Sequence, residues 1–325
     1  MKRGRMVSVV NYSVALVIIL VLNFMLPRLM PGDPLQAIYG DEAMLAMSPE
    51  LKAGLAARLG LDQSLGRQFG SYVTSLAVGD LGYSYYYQAP VAKVILQTLP
   101  WTVLLVGVAL LGSNLIGLAL GIESGYRRGQ PVDHLLMGGL MCLSGFPDFF
   151  LGMLLLLLFG VYLGLAPLAG SATAYGGLSG LAAVLDVLHH LALPLTALVL
   201  ARVGAAYLLA RNTVAMTLGE SFILTARAKG CPDPVIRYRH AGRTAFVPVL
   251  TAAGLQLSHL VSGALFVEIV FSYPGMGSLL YGALLARDYP LIQGILLLAA
   301  VTVLAVNLLA DLICLKLDPR ASHAH

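Results

Sequence analysis

The amino-acid sequence predicts an all-α membrane protein of about six transmembrane helices with both termini cytoplasmic. Of its 325 residues, 58% are hydrophobic and 11% charged, against roughly 45–50% and about 25% in soluble chains. Six stretches are apolar enough to cross a hydrocarbon core, which takes about 20 residues as a helix. Basic residues gather in a few of the connections between them, and that bias orients a membrane chain.

The first stretch is 7–26. Lys2, Arg3 and Arg5 precede it, as they would a secretory signal. The apolar run is too long for a signal core and no small-x-small cleavage site closes it, so it is expected to stay as the first helix. The second is 101–122. The third, 135–163, is long enough to tilt or to break, and Pro147 is the place for a break. The fourth, fifth and sixth are 191–210, 247–271 and 290–315.

With the N-terminus inside, thirteen Lys and Arg fall in cytoplasmic segments, six in the segments opposite and Arg202 inside the fourth helix. The largest extracytoplasmic segment is 27–100. It carries turn signals at Pro31, Gly32, Asp33 and Pro34, then a short helix with Ser48 as N-cap, Pro49 at its first position and Gly60 near its stop. Leu51, Leu55, Ala56 and Leu59 would share one face, suited to the membrane surface or the bundle. Tyr83, Tyr85, Tyr86 and Tyr87 fit an interfacial aromatic belt. Cys142, Cys231 and Cys314 make no disulfide framework. Residues 1–325 read as one domain.

The 211–246 connection is basic and longer than a simple link needs. From Glu220 to Lys229 it contains no helix breaker; Gly230 then suits a left-handed cap, and Pro232 and Pro234 prevent continuation. A second helical run starts near Val235, carries Arg237, Arg239, His240 and Arg243, and enters the membrane at Pro248. Small residues at Ala226 and Ala228 would let the first helix seat in a partner's groove. A solvated basic linker would have the same composition.

The motif Thr225-Ala226-Arg227-Ala228-Lys229-Gly230, followed by Arg239-His240-Ala241 and by Pro248, resembles the cytoplasmic "EAA" loop of binding-protein-dependent ABC importer permeases, in the oligopeptide/dipeptide/nickel family. Further elements extend the resemblance over nearly the whole chain: Pro31-Gly32-Asp33-Pro34, Gly79-Asp80-Leu81-Gly82-Tyr83-Ser84, Ser144-Gly145-Phe146-Pro147-Asp148, His190-Leu191-Ala192-Leu193-Pro194, Glu268 to Gly277, Ala286-Arg287-Asp288-Tyr289-Pro290, Asn307, Asp311 and Leu317-Asp318-Pro319-Arg320. The glutamate that names the loop is absent, with Leu224 and Thr225 in its place, as is usual in the peptide branch. The 27–100 segment is short for the family.

The resemblance implies a type I ABC importer permease. Its partners would be a second homologous permease, two ATPase subunits, an extracytoplasmic substrate-binding protein and membrane lipid; nucleic acid is not an expected partner. No Walker-type phosphate loop occurs, so the chain is expected to be no enzyme and to hold no cofactor, with ATP and Mg bound by the ATPase. The coupling residues would be Glu220, Thr225, Ala226, Arg227, Ala228, Lys229, Gly230, Arg239 and His240. The cargo would be short peptides, or alternatively nickel or a metal–chelator complex.

Polar groups within spans usually face protein or water. Asp148, Arg202, Gln256, His259, Ser262 and Glu268 are the candidates for a translocation path. Gln256, His259 and Ser262 follow a spacing of three and share a helical face; an interhelix hydrogen-bond seam would look the same. Arg202 could instead pair with Asp148, and Glu268 could be solvated or cap the following turn. His189 and His190 diverge on a helix and do not suit one metal ion. An intramembrane hydrolase built on Ser258 or Ser262 with His259 lacks a third orienting group, and an ion-driven secondary transporter would not need the docking-type loop.

Overall fold

A computed structural model of the chain describes residues 2–29, 35, 40–58, 62–256 and 264–317. Helix α1 (Lys2–Leu29) is followed by three short helices, α2 (Asp41–Ala46), α3 (Pro49–Arg58) and α4 (Leu65–Ala77). Strands β1 (Tyr83–Ser84) and β2 (Ala89–Pro90) pair antiparallel. Next come α5 (Val91–Tyr126), α6 (Pro131–Ser144) and α7 (Asp148–Leu155), the last continued by a π-helical turn over Leu156–Tyr162. The long α8 (Leu181–Thr217) leads to α9 (Ser221–Ala228) and a second π-helical turn over Val235–Ala241. Helices α10 (Gly242–Gln256), α11 (Leu265–Val270), α12 (Met276–Leu285) and α13 (Tyr289–Leu317) follow.

Among the described residues, α5, α8 and the Tyr289–Leu308 part of α13 are long and apolar enough to cross a membrane. The α6–α7 pair, with its π-helical continuation to Tyr162, reaches that length and apolarity only when its two arms are taken together, and the arms meet at a bend of 97°. The bend falls at Gly145, Phe146 and Pro147, where the proline has no N–H to donate and its ring turns the preceding residue away from helix. Helices α5 and α8 outrun the apolar runs 101–122 and 191–210, and each continues through a proline, Pro100 and Pro194, inside it. The fifth stretch differs from a single helix over 247–271. It begins earlier, at Gly242, and is described as far as Gln256; after residues 257–263, which lie outside the described residues, Ala264 is not helical and α11 starts at Leu265. Ser48 does open α3, with its Oγ accepting from the Leu51 N–H at 3.3 Å. Gly60 and the Pro31 to Pro34 turn lie outside the described residues.

The chain forms two compact units, residues 1–100 with 279–325, and residues 101–278. In the first, α1 packs on α13 and α4. Asn23 and Gln293 exchange side-chain to backbone hydrogen bonds, each 3.0 Å long. Phe24 is buried against Phe69 and Tyr72, and the Arg28 guanidinium lies 3.5 Å from its ring centroid. Asp288 caps α13 by accepting from the Leu291 N–H, and it also accepts from Ser84 Oγ at 2.5 Å and Tyr86 N at 3.1 Å. The β1–β2 hairpin with its tyrosines is thereby tied to the start of α13. Burial, then the neighbouring Tyr86 and Asp288, push the Tyr87 phenol up from its ordinary value.

In the second unit α8 is central, with α6, α7 and α10 all packed on it. Helix α5 meets α8 along Gly117, Gly121 and Gly125, spaced by four so that they form one stripe. Any Cβ there would stand within 3.0 Å of an α8 backbone atom. Two apolar clusters fill this unit. One joins Leu105, Val106, Leu198, Val267 and Phe271; the other joins Ile122, Val214, Ile223, Ile236 and Ala245.

Candidate functional site

The 211–246 connection is a short helix with a fixed stop. Glu220 occupies the N-cap position of α9 in an extended conformation, and its carbonyl accepts from Ile223 N and Leu224 N. At the other end Gly230 has φ +75°. The Cys231 N–H reaches back to the Ala226 carbonyl at 3.1 Å and the Gly230 N–H to the Arg227 carbonyl at 2.9 Å. That paired pattern is the Schellman stop, which needs a left-handed residue at the glycine position. No atom lies within 4 Å of where a Gly230 Cβ would sit. Gly230→Val therefore meets backbone strain without a clash, a cost of roughly 1–2 kcal/mol. The expected result is a folded protein whose Gly230-position and Cys231 amides exchange with solvent about tenfold faster. Unchanged exchange in a hydrogen–deuterium measurement would contradict the cap.

The faces of α9 differ. Ile223 and Ala226, three apart, are buried in the chain itself, with Ala226 at 6% exposure. Ser221, Leu224, Thr225 and Ala228 share the opposite face and are exposed, as are Phe222, Arg227 and Lys229. The expectation that Ala226 seats in a partner is corrected: its small size lets α9 lie close to the chain's own core. Ala228 remains open. Arg239 is exposed and His240 half-buried on the second π-helical turn.

Three acidic residues not singled out from the sequence hold this connection and its neighbours. Glu123 Oε2 accepts from Arg237 Nη1 at 2.7 Å and from Tyr238 Oη at 3.2 Å, while Oε1 pairs with Arg127 at 2.6 Å. Asp233 accepts from Tyr126 Oη at 2.7 Å, and the Arg237 guanidinium lies 4.4 Å from the Tyr126 ring centroid. Asp133, which is buried, takes a bidentate pair from Arg211 at 2.6 and 2.7 Å, a bond from Ser124 Oγ at 2.5 Å and one from Gly129 N at 2.9 Å. The Tyr207 hydroxyl lies 2.7 Å from Ser124 Oγ. The sequence held one signal: Glu123 and Asp133 flank the 122–134 connection, within a chain poor in charge.

The intramembrane candidates separate. Asp148 opens α7 just after the bend and accepts from the Phe149 N–H at 2.8 Å. Arg202 is half-buried on α8; Asp148 is the charged group that acts on it, but the two form no ion pair within 4.0 Å. Gln256 is the last described residue of α10, and His259 and Ser262 lie outside the described residues. Glu268 is not solvated. It is 0% exposed, accepts from Thr102 Oγ1, Ala264 N and Ser278 N, and so caps the turn before α12. Gly275 and Gly277 let that turn close over it, for a Cβ on either would strike its carboxyl group. Glu268 thus has no surface in this unit to offer a passing solute.

His189 and His190 diverge, each ring turned to a backbone oxygen, of Leu165 at 3.1 Å and of Asp186 at 2.9 Å. Among the described residues no group of three or more His, Cys, Asp or Glu side chains could hold a metal ion.

Comparison with known proteins now bears on this geometry. The model for the binding-protein-dependent transport system inner membrane component matches residues 113–323, and that for the N-terminal part of such membrane components matches residues 2–106. The chain belongs to this permease family. It is 34% identical over 328 residues to the dipeptide transport system permease protein DppB of Escherichia coli, covering 94% of each chain. It is 35% identical over 318 residues to the di/tripeptide transport system permease protein DppB of Pseudomonas aeruginosa, covering 93% of each. The permease is a multi-pass component of the bacterial inner membrane. It is not an enzyme; ATP hydrolysis in such a system occurs in a separate ATPase, and a substrate-binding protein delivers the cargo.

Proposed function

We propose that this permease forms the translocation path for short peptides and takes its motion from an ATPase docked on the 220–230 helix. The peptide cargo is supported by relatives named for di- and tripeptides; nickel or a metal–chelator complex is not favoured. One domain of six spans with both termini cytoplasmic would put the 211–246 connection on the ATPase side, as its basic content suits. The assembly would add a second homologous permease and two ATPase subunits, which bind the ATP and Mg. Asp148, Arg202 and Gln256, with His259 and Ser262, would line the path, while Glu268 would hold the neighbouring turn from behind.

The observation that carries the docking role is the exposed face of α9. Leu224 is 58% exposed on a helix whose inner face and stop are both fixed. An apolar patch on a rigid short helix suits a partner's groove. Leu224→Asp, and separately Ala228→Trp, are expected to lower the ATPase recovered with the affinity-purified permease at least about tenfold, the size of effect a central interface residue gives. Full recovery of the ATPase with both variants would remove the docking role. Uptake of labelled peptide against labelled nickel by the assembled system tests the cargo.

A further inference from the structure

The α9 segment is fastened to the chain in two ways that differ in kind. Ile223 and Ile236 are buried among Ile122, Val214 and Ala245. Apolar burial is non-directional, so it holds the segment close without fixing how it is turned. The second fastening is directional. Arg237 bonds Glu123 and stacks on Tyr126, and Tyr126 bonds Asp233, so both ends of the Asp233–Arg237 stretch are gripped.

Glu123 and Tyr126 are three apart on α5 and share a face. The residue between them in register, Ser124, belongs to the Asp133–Arg211–Tyr207 cluster that ties α5 to α6 and α8. The last turn of α5 therefore meets the connection on one side and two membrane helices on the other. The Arg237–Glu123 pair is also drier than a surface pair, with side chains 16% and 23% exposed. A charge-assisted bond in that setting outlasts the rotamer motion that makes exposed pairs weak.

We propose that Glu123 and Arg237, with Tyr126 and Asp233, are positioning residues that transmit displacement of the 220–230 helix to α5 and so couple ATP hydrolysis to movement of the membrane helices. This rests on the docking role proposed above. Without the clasp the helix would still bind its ATPase but would swivel on its apolar contacts, and the stroke would be spent on the loop.

The test uses the complete assembly in lipid, with ATPase, second permease and binding protein. Three quantities are read: ATPase retained on the permease, ATP hydrolysed, and labelled peptide taken up per ATP. Glu123→Gln and Arg237→Gln should each retain an active ATPase while uptake per ATP falls at least about fivefold, the low end of a typical coupling effect. The double variant should fall no further than the worse single, because both changes remove one interaction. Arg237→Lys keeps the charge but loses the flat stacking face, and should lie between; it carries the test if the glutamine variants fail to accumulate. Unchanged uptake per ATP, or a double variant whose loss is the product of the two singles, would overturn the proposal. Loss of the ATPase from these variants would also overturn it, by making the pair part of docking. Failure of docking is seen separately, as an ATPase retained by Leu224→Asp.

Discussion

Gly121→Val is expected to leave almost no folded permease in the membrane. A Cβ at Gly121 would stand 2.6 Å from the Ala210 Cβ, 2.7 Å from the Tyr207 carbonyl oxygen and 3.0 Å from the Arg211 nitrogen. Two of these are backbone atoms of a continuous helix, so no rotamer change relieves the contact. Gly117 and Gly125 make the same approach one turn away on either side, so α5 cannot tilt off at one position without opening the others. Between helices in lipid, close packing is itself the attraction, since hydrocarbon chains are as apolar as the side chains they meet. Overpacking a tight core costs about 1–3 kcal/mol, and a contact shared by three positions should reach at least the top of that range. Gel filtration after detergent extraction, with a thermal melt, reads the loss. Gly138→Ala on α6, where no atom lies within 4 Å of the new Cβ, should extract and melt close to the parent. A Gly121→Val protein that extracts normally would show that α5 and α8 do not depend on this approach.

Gly275→Ala should be nearly as damaging, for a different reason. The added methyl would fall on the Glu268 carboxyl group, whose oxygens accept from Thr102 at 3.2 Å, Ala264 at 3.4 Å and Ser278 at 3.0 Å. Either the carboxyl leaves those donors or the turn from Tyr273 to Ser278 opens. Each buried polar group left without a partner costs about 1–3 kcal/mol, so a total above about 3 kcal/mol is expected. Glu268→Gln keeps the shape and replaces one acceptor by a donor facing an N–H, so it should lower the melting temperature less than Gly275→Ala. The reverse order, or no change from either, would mean that Glu268 does not hold this turn.

What could be read from the sequence follows from how local each signal is. Gly230 and the Ser48–Pro49 start were legible because a helix stop and a helix start depend on residues a few positions apart. Pro147 announced the bend in the third span for the same reason. The family was legible because its elements are short, ordered along the chain and individually unusual. Ala226 was misread as a docking residue: smallness serves packing inward and outward alike, and only the burial of α9 tells the two apart. The Glu123–Arg237 and Asp133–Arg211 pairs span 114 and 78 residues, and nothing local marks such partners. Gly117, Gly121 and Gly125 carry a visible spacing, yet which helix they meet depends on the topology. Glu268 was left open between solvent and a cap, and its capping of Ser278, ten positions on, depends on the chain folding back.

The 97° turn between α6 and α7 says what must lie beside it. A fatty-acyl tail can neither donate nor accept a hydrogen bond, so bent main chain within a hydrocarbon core persists only under a cover of protein or water. Next to the turn the Ser144 hydroxyl is enclosed with no partner, and Phe146 and Phe150, stacked 5.4 Å apart, leave 42% and 37% of their surface open. Were that turn to lie within the hydrocarbon core, its natural neighbour would be another polypeptide or a wetted passage and not an annulus of lipid.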